Sequence, residues 1–456
     1  MTEENSAFND FLEYMHRYAN RVCLIEGDCF YTYQDLLESV DQIKDQYTQW
    51  RFSSKPVIGF WGDFGFCSIA LLLALGSKGA VVVPLGSWSS RETDRRAQEA
   101  GITHMASFSD GILSIQKLTQ DSLYRDEIEK LGDHSGLVLF SSGTTGRPKV
   151  MLHDFNRFLA RYRPKKNAKD YRILLFLLFD HIGGLDTLFR GLNNGSSLVV
   201  CSERDPYSVA KTIERSSVSV FPSTPTALNL LLVSEAFKQY DLSSLKVISY
   251  GAEPMTASLL NRLNKVFPGV QFQQKFGISE THVLDVRSRT SNDLAIKIND
   301  LDVEYKVVDG ELYLKTHSSM LTYLNAGENR AFDAEGWFHT GDQVEVLSDG
   351  YMEVRGRVGD VINVGGEKVL PSQVESVLTQ VPGVEECLVY GAPNGITGKT
   401  VHAKVKLSNE VNKQDIRKAI RRFCKERLEP HAQPVKIEIV NTIPHTHSLK
   451  KVRKEP

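Results

Sequence analysis

Apolar residues along the chain come in short, nearly unbroken runs separated by polar, helix-forming stretches. Pro56 to Trp61 (PVIGFW), Ala80 to Pro84 (AVVVP), Leu137 to Phe140, Ile173 to Phe179, Leu198 to Cys201, Val218 to Phe221 and Val247 to Tyr250 each read as a strand. Tyr31 to Leu36 opens a helix-like pattern, Ile69 to Leu75 reads as a buried helix, and Pro206 to Ser216 and Thr256 to Phe267 as helices between strands. Strands alternating with helices predict an α/β architecture with substantial parallel sheet.

The pattern changes after about Arg355. A helix is predicted after Pro371 (SQVESVL), then strands over Glu386 to Tyr390 and Val401 to Leu407. In the second of these, Val401, Ala403, Val405 and Leu407 fall on one face and His402, Lys404 and Lys406 on the other, as in a strand with one buried side. Asn412 to Leu428 is a charged amphipathic helix with Ile416, Ile420 and Phe423 on its apolar stripe, and Val435 to Ile439 alternates again. Roughly one hundred residues of mixed α+β make a small second domain. A chain of 456 residues is in any case too long for one ordinary hydrophobic core.

Composition narrows the class. Of the residues 41% are apolar and 24% charged, with a formal net charge of -2, which gives no electrostatic reason to expect nucleic acid as a partner. Ser68 to Leu85, interrupted by Lys78 and Gly79, and Ile173 to Phe179 both fall short of the ~20 apolar residues of a membrane span and are expected in the core. Cys23, Cys29, Cys67, Cys201, Cys387 and Cys424 show no CxxC pair and no zinc-like spacing, so they are expected as reduced thiols in a cytoplasmic protein. Met1 to Asn20 starts acidic and lacks the continuous apolar segment of a secretory signal.

The densest chemistry lies in Phe140-Ser-Ser-Gly-Thr-Thr-Gly-Arg-Pro-Lys149, directly after a predicted strand. Ser141, Ser142, Gly143, Thr144, Thr145 and Gly146 are small enough for the backbone to close on a phosphate, the hydroxyls add donors, and Lys149 adds a positive charge. The spacing is not that of a Walker loop. The string resembles the signature of the acyl-adenylate-forming superfamily, which includes acyl- and aryl-CoA synthetases, adenylation domains of nonribosomal peptide synthesis and beetle-type luciferases. It departs from that signature at Val150, where relatives usually carry glycine.

Further motifs of the superfamily follow in order. Ser249-Tyr-Gly-Ala-Glu-Pro254, with Gly251, Ala252 and Glu253, resembles the loop lying against adenine. Phe276-Gly-Ile-Ser-Glu-Thr281 resembles the aromatic-Gly-x-Thr-Glu segment. That resemblance implies Phe276 stacked on adenine beside Gly277, Ser279 at the α-phosphate and Glu280 on magnesium. Gly336-Trp-Phe-His-Thr-Gly-Asp342 resembles the segment whose aspartate, here Asp342, holds both ribose hydroxyls, a task suited to a carboxylate acceptor. Gly356 to Val369 resembles the interdomain crossover, implying that Arg357 reaches the nucleotide, that Gly359 is the pivot, and that a pantetheine arm passes Gly365 and Gly366. The implied fold is a large N-terminal domain, residues 1–358, with mixed and parallel sheets, and a small mobile α+β domain, residues 359–456, hinged near Gly359.

The tail Pro444-His-Thr-His-Ser-Leu-Lys-Lys-Val-Arg-Lys454 resembles the P-x-T-x-S-G-K ending, whose lysine bridges substrate carboxylate and phosphate. Ungapped alignment selects Lys450; a one-residue slip selects Lys451. The resemblance implies formation of an acyl-adenylate from ATP and a small carboxylic acid with release of pyrophosphate, served by magnesium on Glu280, the Thr144/Thr145 loop and Lys450. Transfer to a thiol follows, of coenzyme A or of phosphopantetheine on a carrier protein acting in trans. The acid pocket is expected near Phe179 to Leu185, Ser223 to Leu228 (with Thr224) and Ser249 to Ala252. His181 resembles the gate of synthetases with an HxxG arrangement. Asp180 either binds a substrate ammonium, as in amino-acid-activating relatives, or orients His181. The HIGGL run favours a fatty or aryl acid, with a stand-alone amino-acid-activating enzyme and a non-catalytic nucleotide-binding paralogue as the alternatives.

Overall fold

A computed structural model of the chain describes residues 6–86, 89–118, 123–141, 148–162, 170–325, 332–408, 413–446 and 451. Two mixed sheets organise the first part. In one, Gln271–Gln274, Val247–Tyr250, Val220–Ser223, Arg172–Leu175, Ser197–Val200 and Val22–Glu26 run parallel, with Cys29–Thr32 antiparallel at the edge. In the other, Gly136–Ser141, Val81–Leu85, Val57–Trp61 and His104–Ser109 run parallel, flanked antiparallel by Lys149–Asp154 with Thr322–Tyr323 and by Ile112–Lys117. The expected α/β class, with a large N-terminal part and a smaller C-terminal one, is what the chain adopts.

Local chemistry explains the boundaries. Helix Pro206–Ser216 begins where the Asp205 carboxylate accepts the N–H groups of Tyr207 and Ser208 and proline takes the first turn, and it ends at Ser217 in a left-handed conformation. Helix Phe66–Ser77 is buried from Ile69 through Ser77, so it lacks a polar face and shows no amphipathic period. The predicted strand over Ile173 to Phe179 stops at Leu175, because the chain leaves the sheet there to reach Asp180 and the helix Ile182–Asn193. Val150, the departure from the glycine of relatives, is a fully buried strand residue paired with Phe140.

An antiparallel sheet follows: Val286–Ser288, Ala295–Ile298, Met352–Arg357, Phe338–Val346, Glu311–Thr316 and Val303–Val308. The C-terminal sheet pairs Glu367–Val369, Ile362–Val364, Gly398–Leu407 and Val384–Asn394 antiparallel, with Lys436–Val440 parallel to Gly398–Leu407. Helices Pro371–Leu378 and Lys413–Arg427 complete this unit, and Val401, Ala403, Val405, Ile416 and Ile420 fill its core as the alternation predicted. Contacts between the two parts include Asn229 Nδ2 donating to the Glu385 carbonyl at 3.1 Å and Ser258 Oγ donating to the Thr379 carbonyl at 3.3 Å.

Cys23, Cys201, Cys387 and Cys424 are buried, and Cys29 and Cys67 exposed. Burial pushes the thiols of Cys23 and Cys201 up to about 12 and that of Cys424 up to about 11. Among the described residues no helix is long and apolar enough to cross a membrane. Ile420 is fully buried in the C-terminal core. Truncation by Ile420→Ala is expected to cost about 2–5 kcal/mol in that unit, visible in urea titration as an earlier transition of the C-terminal part.

Candidate active site

The strand Gly136–Ser141 and its antiparallel return Lys149–Asp154 close on each other at the register pair Ser141 and Lys149. Ser142, Gly143, Thr144, Thr145 and Gly146 lie outside the described residues, as does Lys450. The returning end of the phosphate-loop candidate is fixed from outside. Asn325 donates its Nδ2 to the Pro148 carbonyl at 2.8 Å and accepts the Val150 N–H at 2.9 Å. The Lys149 ammonium lies over the Tyr323 ring, 4.8 Å from its centroid, and the Tyr323 hydroxyl donates to Glu280 Oε1 at 2.6 Å. Lys149 and Glu280, separated by 131 positions in the chain, thereby share one aromatic side chain.

Glu280 sits in the turn between Gly277–Ile278 and His282–Val283, its backbone carbonyl accepting the Met320 N–H at 2.8 Å. Phe276 is buried, and Ser279 is half-buried beside it. The loop after Val247–Tyr250 lies against this segment: Lys275 N–H donates to the Tyr250 carbonyl at 2.7 Å, and a Cβ at Gly251 would come within 2.7 Å of the Lys275 carbonyl, so a side chain there would force the loops apart. Ala252, which is exposed, adopts a left-handed backbone (φ 68), unusual for a residue with a Cβ. The Glu253 carboxylate accepts the Thr226 hydroxyl at 2.6 Å and its N–H at 3.2 Å.

Asp342 and Arg357 face each other across paired strands, Nε to Oδ1 at 2.7 Å. Arg357 Nη1 also donates to the Thr340 carbonyl at 3.1 Å, and the Thr340 hydroxyl accepts the Asp342 N–H at 3.0 Å. Burial raises the Asp342 carboxyl to about 6; Arg357 pulls it down, and the nearby Glu280, Glu311 and Asp360 push it up. Glu280 and Asp342 thus belong to one anionic neighbourhood. Among the described residues no three metal-ligating side chains cluster as a ready-made cage.

Asp180 is wholly buried. One carboxylate oxygen takes a hydrogen bond from Arg96 Nη1 at 2.8 Å, and the other lies 2.7 Å from His181 Nδ1. Arg96, on helix Ser90–Glu99, also bonds Glu92 through Nε at 3.0 Å and stacks over Phe140 at 4.7 Å, the residue that leads into the phosphate loop. Gly86 packs so closely that a Cβ there would lie 3.0 Å from the Asp180 carboxyl carbon. His181 stands at the N-terminal boundary of the helix Ile182–Asn193, makes no side-chain capping bond, and keeps its side chain 26% exposed. Of the two readings open for Asp180, this geometry is that of a group orienting His181. Thr224, expected at the acid, is buried, and its hydroxyl accepts the Ala227 N–H at 3.2 Å as the cap of helix Pro225–Val233.

Gly365 and Gly366 form the turn between Ile362–Val364 and Glu367–Val369, with Gly365 N–H on the Thr397 carbonyl at 2.9 Å and Gly366 N–H on Asn363 Oδ1 at 2.9 Å. Gly359 lies in the single 3₁₀ turn Val358–Asp360 that follows Arg357. Sequence reading missed Arg96, Tyr323 and Asn325. Each acts through partners dozens of positions or more away, so no local pattern marks it; the Tyr-Leu-Asn string at 323–325 was the one cue, an aromatic and an amide at the edge of a short strand.

Comparison with known proteins gives the family. The family model for AMP-binding enzymes matches residues 11–324, and that for the AMP-binding enzyme C-terminal domain matches residues 373–450. A long-chain-fatty-acid–CoA ligase of Mycobacterium tuberculosis is 28% identical over 337 residues, 70% of this chain and 66% of that protein. A 2-succinylbenzoate–CoA ligase of Bacillus licheniformis is 30% identical over 348 residues, 72% of this chain and 71% of that one. The match thus spans just under two thirds of the first relative and somewhat more of the second. In solved structures, an anthranilate CoA ligase in complex with anthranoyl-AMP aligns with a TM-score of 0.80 at 20% identity, covering 97% of this chain and 95% of that one. An amide bond synthetase from Marinactinospora thermotolerans aligns with a TM-score of 0.80 at 21% identity, covering 98% of each chain. At such identities the structural likeness speaks for the fold; with the family models matched along both parts of the chain, the protein belongs to the AMP-binding enzyme family, in the company of acid–thiol ligases.

Proposed function

We propose that the chain joins a carboxylic acid to the α-phosphate of ATP, releasing pyrophosphate, and passes the acyl group from the adenylate to a thiol. The observation that carries this reading is the contact chain Lys149–Tyr323–Glu280, with Asp342 in the same electrostatic neighbourhood. It brings a cation from the phosphate-loop hairpin and a carboxylate to one aromatic ring, with the candidate ribose acceptor feeling the charge of that carboxylate. Both reactants are anionic, so the protein's task is to neutralise charge and align the attacking oxygen with phosphorus. No side chain has to form a covalent bond. A single protein carboxylate, Glu280, suits magnesium, which binds proteins through one or two carboxylates and otherwise through phosphates and water. When bound there, the ion would supply Lewis-acid neutralisation of phosphate charge.

For the acid, a fatty or aryl carboxylate is favoured over an amino acid. The Asp180 carboxylate is already matched by Arg96 and His181 and is closed to solvent, which leaves little charge to draw an ammonium group. The fatty-acid and succinylbenzoate ligases among the relatives point the same way. His181, held by Asp180, is the gate candidate. The acceptor is coenzyme A or carrier-bound phosphopantetheine, reaching the adenylate past Gly365 and Gly366 once residues 359–456 have turned about Gly359. Six cysteines without a disulfide fit a reducing, cytoplasmic setting.

The direct test is a pyrophosphate-release screen against fatty, aryl and amino acids, with and without coenzyme A and with an amine as a competing acceptor. Release that depends on a fatty or aryl acid, followed by thioester, supports the reading; nucleotide binding without release under any acid overturns it. Lys450→Ala is expected to lower adenylate formation roughly 100-fold or more while transfer from preformed adenylate continues; wild-type adenylation by this variant would remove Lys450 from its role. Asp342 is a carboxylate acceptor only above its raised value of about 6. Below that pH the KM for ATP should therefore climb by up to about tenfold per unit, and Asp342→Asn should show a raised KM without that added climb.

A further inference from the structure

Lys451 is bonded to both parts of the molecule. Its ammonium donates to the Cys387 carbonyl at 2.9 Å and lies 3.4 Å from Glu375 Oε2. Glu375 is buried on the helix Pro371–Leu378, and its other oxygen accepts the Val389 N–H at 2.9 Å. The side chain of Lys451 therefore belongs to the C-terminal unit. Its backbone N–H, by contrast, donates to Glu253 Oε1 at 3.2 Å, in the 249–254 loop of the nucleotide half, and Glu253 Oε2 is fixed by Thr226. Lys451 also pairs across an antiparallel bridge with His445, whose Nε2 lies 2.6 Å from the buried carboxylate of Glu386. The chain is thus pinned to the C-terminal sheet on both sides of positions 446–450, and the second pin is latched to the large domain.

We propose that Lys451 is a positioning residue, with Glu375 as its anchor and Glu253 as its dock, and that together they hold the tail in the arrangement in which the acyl-adenylate forms. The inference rests on the adenylation reading above. In this arrangement the Lys451 ammonium is engaged by a carbonyl and a buried carboxylate inside the C-terminal unit, which leaves the bridging of substrate carboxylate and phosphate to its neighbour Lys450. Glu253 then serves the tail and Thr226 rather than the adenine ring. A carboxylate suits the dock because it accepts on both oxygens at once, from Thr226 on one and from the Lys451 N–H on the other; an amide has a single accepting oxygen.

The test measures both half-reactions for Lys451→Met, Glu375→Gln, their combination and Lys451→Arg, using pyrophosphate release with an accepted acid and thioester formation from preformed adenylate. If Lys451 works through Glu375, each single variant lowers pyrophosphate release roughly 10- to 100-fold, and the combination is no worse than the poorer single. Lys451→Arg recovers most of the loss, and thioester formation stays near the wild-type rate. Unimpaired Glu375→Gln beside an inactive Lys451→Met would make Lys451 the bridging lysine and overturn the proposal, as would full activity of Lys451→Met. If Lys451→Met does not fold, Glu375→Gln and Lys451→Arg decide by the same criteria. Amide exchange at Lys451 reads the dock without any activity: Glu253→Gln is expected to speed it roughly tenfold or more, and an unchanged rate overturns the latch. Failure of the wild type to adenylate any acid would count instead against the functional reading.

Discussion

A guanidinium out of water must be matched on every side, and the burial of Arg96 imposes that condition on the centre of the molecule. Asp180 supplies the opposite charge, Glu92 shares it along the same helix, and the face of Phe140 takes the remaining surface. Two of these partners lead on to candidate site residues. Phe140 is the last residue but one of the strand that enters the phosphate-loop candidate, Asp180 holds His181 at the start of a helix, and Gly86 has to forgo a side chain to let the carboxylate in. Removing one member of such a pair strands the other in a low-dielectric interior at about 3–5 kcal/mol. The site is therefore built on an electrostatic condition that fixes three separate chain segments relative to one another.

The same view shows why the site divides into parts that a reader of the sequence sees and parts that stay hidden. Ser141, Lys149, Glu280, Asp342 and Arg357 sit in compact strings whose residue types by themselves mark them as candidates. The parallel strands are legible because burial on both faces leaves continuous apolar runs such as Val81–Leu85. The antiparallel sheet between Val286 and Arg357 was not foreseen: Val303–Val308, for example, has no fully buried residue, so its pattern carries little contrast. The supporting residues are less legible still. Arg96 finds Asp180 84 positions away, and Asn325 reaches Val150 across 175. Their meaning arises only when folding brings distant segments together.

Asp180 and Thr224 show the converse, residues whose motif context suggested a substrate and whose hydrogen-bond partners lie within the protein. Asp180 orients and is itself neutralised; Thr224 caps a helix. Glu253 makes the same point at the tail, where one carboxylate serves a helix start and a distant backbone amide. In each case what surrounds the acceptor is a matter of the number of donors near it, which sequence does not display.

The buried cysteines have a chemical consequence of their own. A mixed anhydride held beside an incoming thiol is an acylating agent, and any thiolate within the protein would compete for the acyl group. Only the thiolate is a strong nucleophile. Burial raises Cys23, Cys201 and Cys424 to about 11 or 12 and so keeps them as thiols throughout the physiological range, walled off as well as protonated. The packing that stabilises the fold thereby keeps these three thiols out of competition for an activated carbonyl, a protection that the exposed Cys29 and Cys67 do not share.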